Sequence, residues 1–166
     1  LTGPNGSGKT TLLRMMRRRL EPDRGDVHVP KDLVISHVEQ EYELDSRPAI
    51  EHVIDGDAEL RQIESGIASA QAADDGTRLA ELHGRLEAIG GLAARARAAR
   101  LLAGLGFGAD SPDTPATAFS GGWQMRINLA KALMSRSDLL LLDEPSNHLD
   151  MDAVVWLENW LRHYPG

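Results

Sequence analysis

Four residues near the start of the sequence have the types and spacing that bind a polyphosphate. Gly3, Gly8, Lys9 and Thr10 occupy the fixed positions of the pattern G-x-x-x-x-G-K-[S/T]. Glycine permits the backbone conformations in which successive amides point at one anion, and a helix that begins there directs its positive end at the same charge. A lysine can neutralise phosphate oxygens, and a threonine hydroxyl can bind the accompanying Mg²⁺. The stretch predicts nucleotide-phosphate binding; a glycine-rich surface turn is the alternative.

A second set of polar residues follows an apolar stretch late in the chain. Four leucines at residues 139–142 predict a fully buried parallel strand, and Asp143 and Glu144 come directly after it. A parallel strand delivers its carboxyl end to the sheet edge where a phosphate loop also lies. There Asp143 can hold Mg²⁺ through water, and Glu144 can act as general base toward the water that attacks a γ-phosphate. A strand capped by two surface acids is the alternative.

A glycine-rich turn at Ser120, Gly121 and Gly122 is a third candidate phosphate contact. It precedes a predicted helix, so its amides and the Ser120 hydroxyl can contact an anion. A simple helix cap explains an isolated Ser-Gly-Gly equally well. The order of the motifs favours the functional interpretation, because the turn lies between the phosphate loop and the Asp-Glu pair.

Hydrophobic periodicity predicts the elements that position these residues. Helices are predicted at residues 11–20, 92–105, 127–134 and 152–163, and strands at residues 27–29, 33–38 and 139–142. Between residues 57 and 89, apolar residues recur at helical spacing on both sides of a break at residues 74–77. This pattern predicts an antiparallel helical hairpin.

The composition excludes several classes of protein. A chain of 166 residues with 42% apolar residues is long enough for one domain with a real core. The absence of cysteine excludes disulfides and thiolate metal sites, which fits a cytoplasmic protein. No run of 18 apolar residues and no signal-peptide pattern occurs. The formal charge of −7 does not indicate a nucleic-acid-binding protein.

The ordered motifs resemble those of the ATP-binding-cassette (ABC) ATPases. The resemblance identifies Gln40 as the Q-loop glutamine and Trp123 as a variant residue in the signature motif, where transport cassettes have glutamine. The full set comprises the Walker A loop at residues 3–11, the signature motif at 120–124, the Walker B strand at 139–144 and the D-loop at 146–150. Phe-Ser-Gly-Gly-Trp and Pro-Ser-Asn-His-Leu-Asp are similar to the ABC-F branch, and residues 51–57 to the first cassette of its YheS-type members.

This resemblance implies an α/β fold of the P-loop NTPase type, an ABC nucleotide-binding domain with a helical subdomain and an inserted helical hairpin. Residues 1–166 would form a partial ABC ATPase domain, with the hairpin (57–91) as a short arm and residues 92–135 as helical subdomain and signature helix. The family's first strand would precede Leu1, and its switch-histidine strand would follow Gly166. The isolated chain is therefore expected to fold poorly and to be inactive.

The resemblance also implies ATP and Mg²⁺ as ligands and ATP hydrolysis as the activity. Glu144 and Gln40 are the expected catalytic residues, and Thr10, Gln40 and Asp143 the expected metal ligands. The expected nucleotide contacts are Gly3, Pro4, Asn5, Gly6, Ser7, Gly8, Lys9, Thr10, Thr11, Ser120, Gly121 and Gly122.

ABC-F proteins carry two cassettes on one chain, have no membrane domain, and in many cases act on the ribosome in translation. Two cassettes enclose two ATP molecules, with the signature turn of one facing the Walker loops of the other. The expected partners are therefore a second cassette of the same chain and the ribosome. Between Glu41 and Glu87, 12 acidic residues and 4 arginines give a net charge of −8. Phosphate contacts favour Lys and Arg, so an arm that contacts protein, or has a purely structural role, is at least as well supported as an arm that binds RNA.

Three alternative functions share part of this chemistry. The nucleotide-binding subunit of an ABC transporter uses the same ATP site, although Trp123 and the hairpin argue against it. A chromosome-maintenance or DNA-repair ATPase needs hundreds of coiled-coil residues between Thr10 and Ser120, where only 109 residues lie. A regulatory module that binds ATP without significant turnover is the third.

Overall fold

The computed structural model describes residues 7–38 and 42–164. Within them the chain forms seven α-helices and two β-strands, with short 3₁₀ turns between some of them. In chain order these are α1 (Lys9–Met16), β1 (Ile35–His37), α2 (Ala49–Ile54), α3 (Ala58–Ala72), α4 (Gly76–Ala88), α5 (Ala94–Gly104), α6 (Gly121–Met134), β2 (Leu139–Leu141) and α7 (Met151–Arg162).

The two strands pair in parallel, with Ile35 opposite Leu139 and His37 opposite Leu141. This pairing brings the stretch after β2 to the same sheet edge as the stretch after β1. The prediction of a fully buried strand at residues 139–142 is wrong, because only Leu141 is buried and its neighbours are half-buried. Among the described residues the sheet has just these two strands, so the second edge of β2 has no strand beside it.

Helix α1 is shorter than the predicted helix at residues 11–20. It ends at Met16 because Arg18 adopts the left-handed conformation, with φ at 55°. The Arg18 guanidinium donates hydrogen bonds to the carbonyl oxygens of Val29 (2.7 Å) and Pro30 (3.3 Å) and thereby holds the turn. The prediction of a strand at residues 27–29 is wrong. The Val29 carbonyl accepts a hydrogen bond from the Arg18 side chain, and this segment pairs with no strand of the described chain.

Helices α3 and α4 lie where the sequence predicts a hairpin. Each begins at an aspartate whose carboxylate accepts a hydrogen bond from a backbone N–H three residues on: Asp57 from Leu60 (3.2 Å) and Asp75 from Arg78 (2.9 Å). Between the helices, Ile63, Ala70 and Leu82 form a small buried cluster of their own. The hairpin therefore has a buried cluster of its own, which meets the larger core at Leu86 and Ile89.

The larger core is built mainly from α2, α5 and α6. Ile50, Leu102 and Ile127 are almost completely buried in it. Helix α2 was not predicted from the sequence. It has only six residues, and because five of them are buried it shows no alternation of apolar and polar residues at helical spacing. The helix predicted at residues 92–105 starts two residues later, since Gly90 has φ at 59° and a 3₁₀ turn follows, which leaves Leu92 82% exposed.

A buried carboxylate joins the hairpin to the larger core. Asp57 is 1% exposed, and its Oδ2 accepts hydrogen bonds from Arg97 Nη2 (3.1 Å) and Arg136 Nε (3.0 Å). Arg97 lies on α5, and Arg136 lies between α6 and β2. Burial and the adjacent Arg136 charge lower the pKa of Arg97, whereas the Asp57 carboxylate opposes that shift. One side chain thus connects three parts of the fold.

Candidate nucleotide-binding site

The phosphate loop leads directly into α1. Gly8 caps this helix with φ at 87° and ψ at 10°, a left-handed conformation that glycine adopts without strain. Its carbonyl accepts a hydrogen bond from the Leu12 N–H (2.9 Å), which closes the first turn. Lys9 and Thr10 are therefore the first two residues of the helix, as the motif requires. The predicted contacts Gly3, Pro4, Asn5 and Gly6 lie outside the described residues.

The structure brings Thr10 and Asp143 together across 133 residues of sequence. Thr10 Oγ1 donates a hydrogen bond to Asp143 Oδ2 at 2.5 Å. A hydroxyl and a carboxylate are the hard oxygen ligands that Mg²⁺ accepts. Over the described ranges, no group of three or more His, Cys, Asp or Glu side chains could hold a metal. The pair therefore fits an ion that keeps several waters and takes its other ligands from phosphate.

Glu144 follows Asp143 in a strained conformation. Its φ is 48°, a value that non-glycine residues adopt at a cost of about 1 to 3 kcal/mol and that recurs at functional sites. The side chain is exposed, and its Oε2 accepts a hydrogen bond from Asn147 Nδ2 at 2.9 Å. Asn147 was not among the predicted site residues, and its place three residues after Glu144 is the signal that could have found it. Gln40, the other predicted catalytic residue, lies outside the described part of the chain.

The Ser-Gly-Gly turn forms the start of α6. Ser120 is the cap residue, and its hydroxyl makes no capping hydrogen bond. Gly121 and Gly122 are exposed, and a Cβ added to either would meet no heavy atom within 4 Å. The turn is therefore exposed, and no hydrogen bond from the Ser120 side chain caps the first amides of α6. Among the described residues, no hydrogen bond joins this turn to the Thr10–Asp143 pair, so the predicted site residues form two separate groups.

Trp123 and Arg126 support this turn and connect it to the D-loop segment at residues 146–150. Trp123 packs edge-on against Phe107 with ring centroids 4.8 Å apart, and the Arg126 guanidinium lies 4.4 Å from the Trp123 ring centroid. Arg126 donates hydrogen bonds to the His148 carbonyl and to Asp150 Oδ2, both at 2.9 Å. Arg126 was not among the predicted site residues. Its spacing of three from Trp123 in a helix is the signal that could have found it.

Asp150 caps α7 from the same segment. Its Oδ1 accepts a hydrogen bond from the Ala153 N–H at 3.0 Å. This bond first, and the Arg126 guanidinium second, lower the pKa of Asp150 below its ordinary value. The carboxylate is therefore charged at neutral pH and fixes the end of the D-loop segment against α6.

A family model described as "ABC transporter" matches residues 1–147 of this chain. The chain belongs to this family. Its fold is that of an ABC nucleotide-binding domain, a member of the P-loop NTPases, as predicted.

The relatives confirm the resemblance to the ABC-F branch. The "Probable ATP-binding protein YheS" of Escherichia coli K12 is 49% identical over 166 residues, covering 100% of this chain and 26% of that protein. The mouse "ATP-binding cassette sub-family F member 3" is 44% identical, covering 99% of this chain and 24% of that protein. The chain thus spans about a quarter of the length of these relatives.

A solved structure of related fold is that of an archaeal ribosome recycling factor, aABCE1, in complex with the archaeal ribosomal stalk protein aP1. It has a TM-score of 0.59 and 26% identity, and the match covers 98% of this chain and 25% of that one. No helix in residues 7–38 and 42–164 is both long and apolar enough to cross a membrane.

Proposed function

We propose that this chain is the ATP-hydrolysing cassette of an ABC-F-type protein that acts on the ribosome. The observation that supports the ATP chemistry most directly is the hydrogen bond between Thr10 and Asp143, which unites the phosphate loop with the end of β2. The ABC-F relatives support the branch of the family. The ribosome recycling factor among the structures of related fold supports the choice of partner.

The proposed roles follow from the chemistry of each side chain. Lys9, at the start of α1, neutralises phosphate oxygens. Thr10 and Asp143 would hold Mg²⁺, which supplies charge neutralisation to the phosphates when it is bound. Glu144 accepts a proton from the attacking water. Asn147 engages Glu144 Oε2 and so orients the carboxylate, which leaves Oε1 to take that proton.

The signature turn is proposed to serve a different nucleotide. Ser120, Gly121 and Gly122 are exposed, and the positive end of α6 favours an anion there. They would contact the γ-phosphate of ATP held by a second cassette of the same chain. ATP then joins the two cassettes, and hydrolysis removes the contacts and opens the clamp.

The test uses the full-length protein with Glu144→Gln, combined with the equivalent change in the second cassette. We expect ATP turnover to fall by about 10²- to 10⁴-fold and the variant to co-sediment with ribosomes in ATP and not in ADP. Glu158→Gln is the matched control, since Glu158 is exposed on α7 and should leave both readouts unchanged.

Each other outcome separates a rival function. Unchanged turnover in the Glu144→Gln variant would contradict the assignment of the base. If the Glu144→Gln variant loses ATP turnover but does not bind ribosomes, the ATPase assignment is supported and the ribosome is excluded as the partner. Co-fractionation with a permease in membranes would favour the transporter subunit, and tight ATP binding with no turnover in the unmodified protein would favour the regulatory module.

A further inference from the structure

The end of α1 carries a concentration of positive charge that the proposed function does not use. Four of the six residues from 14 to 19 are arginine, in a chain whose formal net charge is −7. After the helix ends at Met16, Arg17, Arg18 and Arg19 follow one another in a tight turn. One or two cations suffice to complement the carbonyl end of a helix, so this number exceeds what α1 itself needs.

These side chains line an open groove of about 310 Å³. The basic residues at the groove are Arg17, Arg18, Arg19, Lys31 and His37, joined by Met16, Val29, Pro30, Leu33 and Ile35. Arg18 is fixed by its bonds to the Val29 and Pro30 carbonyls, and Arg17 contacts the His37 ring. Arg19 and Lys31 are exposed. The groove therefore presents several cations on a surface that is already ordered.

The cations in this groove lie closer together than the other cations without a carboxylate partner in the described chain, which are Arg14, Arg24, Arg100 and Arg162 among the arginines. Eight arginines elsewhere form ion pairs with carboxylates, namely Arg47, Arg61, Arg78, Arg85, Arg95, Arg97, Arg126 and Arg136. Within residues 7–38 and 42–164, neither Arg18, Arg19 nor Lys31 has a carboxylate partner. An arginine paired with a carboxylate projects little field, whereas these cations attract an external anion within a Debye length of about 8 Å.

We infer that this groove is a docking surface for the phosphate backbone of RNA. The inference rests on the proposed function, because it names the part of the ribosome that this face of the cassette would touch. Successive phosphates match a row of closely spaced cations. The described groove lining contains no Phe, Tyr or Trp on which a base could stack, and its one imidazole, His37, contacts Arg17. Recognition is therefore of backbone and shape, as in double-stranded RNA, and not of sequence.

The position of the groove connects it to the nucleotide site. Helix α1 begins at the phosphate loop and ends at the groove, and its eight residues span about 12 Å. RNA docked at one end and nucleotide phosphate bound at the other thus contact the same rigid element. The acidic hairpin is less suited to the same partner, because phosphate contacts favour Lys and Arg.

The test measures binding of a fluorescently labelled 24-base-pair RNA duplex to the full-length protein across a range of salt concentrations. The variant Arg19→Gln/Lys31→Gln removes two exposed cations of the groove. We expect its affinity to fall at least about tenfold at 0.1 M salt, and the slope of log K against log salt to fall by about 2. The matched control Arg100→Gln/Arg162→Gln removes two exposed arginines from α5 and α7 and should change neither value.

Three outcomes would overturn the inference. Equal losses in the two double variants would mean that bulk charge and not the groove binds RNA. Unchanged RNA binding in the groove variant would exclude the surface. If polyglutamate binds at the groove and RNA does not compete with it there, the groove would be a binding surface for an acidic protein.

ATP-dependent ribosome co-sedimentation of the unmodified protein, run in parallel, tests the proposed function separately. If the unmodified protein pellets with ribosomes while the groove variant binds the duplex normally, the inference fails and the proposed function stands. If the unmodified protein does not pellet with ribosomes but the groove variant loses duplex binding, the proposed function fails and the RNA surface stands.

Discussion

Removal of the Asp57 carboxylate tests how the hairpin is held to the rest of the fold. Asp57 caps α3 and also accepts hydrogen bonds from Arg97 and Arg136. Loss of a cap costs about 1 kcal/mol. Breaking a buried ion pair costs about 3 to 5 kcal/mol. The guanidiniums of Arg97 and Arg136 are 28% and 41% exposed, so they can regain water when the carboxylate is removed. We therefore expect the loss of the two ion pairs to cost about 2 kcal/mol. We expect Asp57→Ala to cost about 3 kcal/mol in total.

The chain offers a matched control in Asp75. It caps α4 with nearly the same backbone conformation, ψ being 85° against 80° at Asp57, and it forms no ion pair with another described residue. Asp75→Ala should therefore cost only the share of the cap, about 1 kcal/mol. Asp57→Asn keeps a capping oxygen and should lose only the share of the ion pairs, about 2 kcal/mol.

Hydrogen exchange of the full-length protein, read by mass spectrometry, measures these shares separately. In the Asp57→Ala variant we expect the amides of α5 to exchange about 30-fold faster, since 1.4 kcal/mol corresponds to a factor of ten. In the Asp75→Ala variant, exchange should rise about fivefold in the first turn of α4 and stay unchanged in α5. Identical α5 exchange in the two variants would refute the reasoning, because the buried ion pairs would then contribute no net stability.

Two further predictions concern the larger core and the D-loop segment. Gly104→Ala should destabilise the domain by about 3 kcal/mol, because the new Cβ would lie 1.9 Å from the Trp156 ring. Thermal unfolding measures this loss. A variant as stable as the unmodified protein would show that α7, which carries Trp156, can move away. The lowered pKa of Asp150 means that its contribution to stability is full above the ordinary aspartate pKa and is lost as the pH falls through the lowered value. We therefore expect the Ala153 amide to lose protection only in that acidic range, and Asp150→Asn to abolish the pH dependence there.

The sequence predicted the elements whose signal is local. The start of α1 after Gly8, the hairpin and the helix after Ser120 were predictable because glycine spacing and helical periodicity are local features of the sequence. The approach of Asp143 to the phosphate loop was predictable, since Asp143 follows the carboxyl end of a parallel strand and such ends lie at the sheet edge of a phosphate loop; the hydrogen bond from Thr10 agrees with this. The roles of the site residues and the domain boundaries stay predictions.

What the sequence could not give depends on contacts between distant residues. Helix α1 ends early because the Arg18 side chain donates hydrogen bonds to the carbonyls of Val29 and Pro30. Helix propensities describe single residues and cannot predict a contact between residues that far apart in sequence. Helix α2 is too short to show a period, and burial in the larger core is what makes it a helix. The bonds of Arg126 to the D-loop segment likewise depend on where α6 and α7 meet.

The buried cluster of the hairpin has a consequence for how far the chain can extend. Because Ile63, Ala70 and Leu82 form a cluster apart from the larger core, residues added at the exposed tip near Asp75 would bury their apolar faces against each other. Seven residues inserted in each helix lengthen the hairpin by about 10 Å and leave the nucleotide site where it is. The hairpin is thus a part of adjustable length, and its reach can vary between related proteins while the cassette beneath it stays the same.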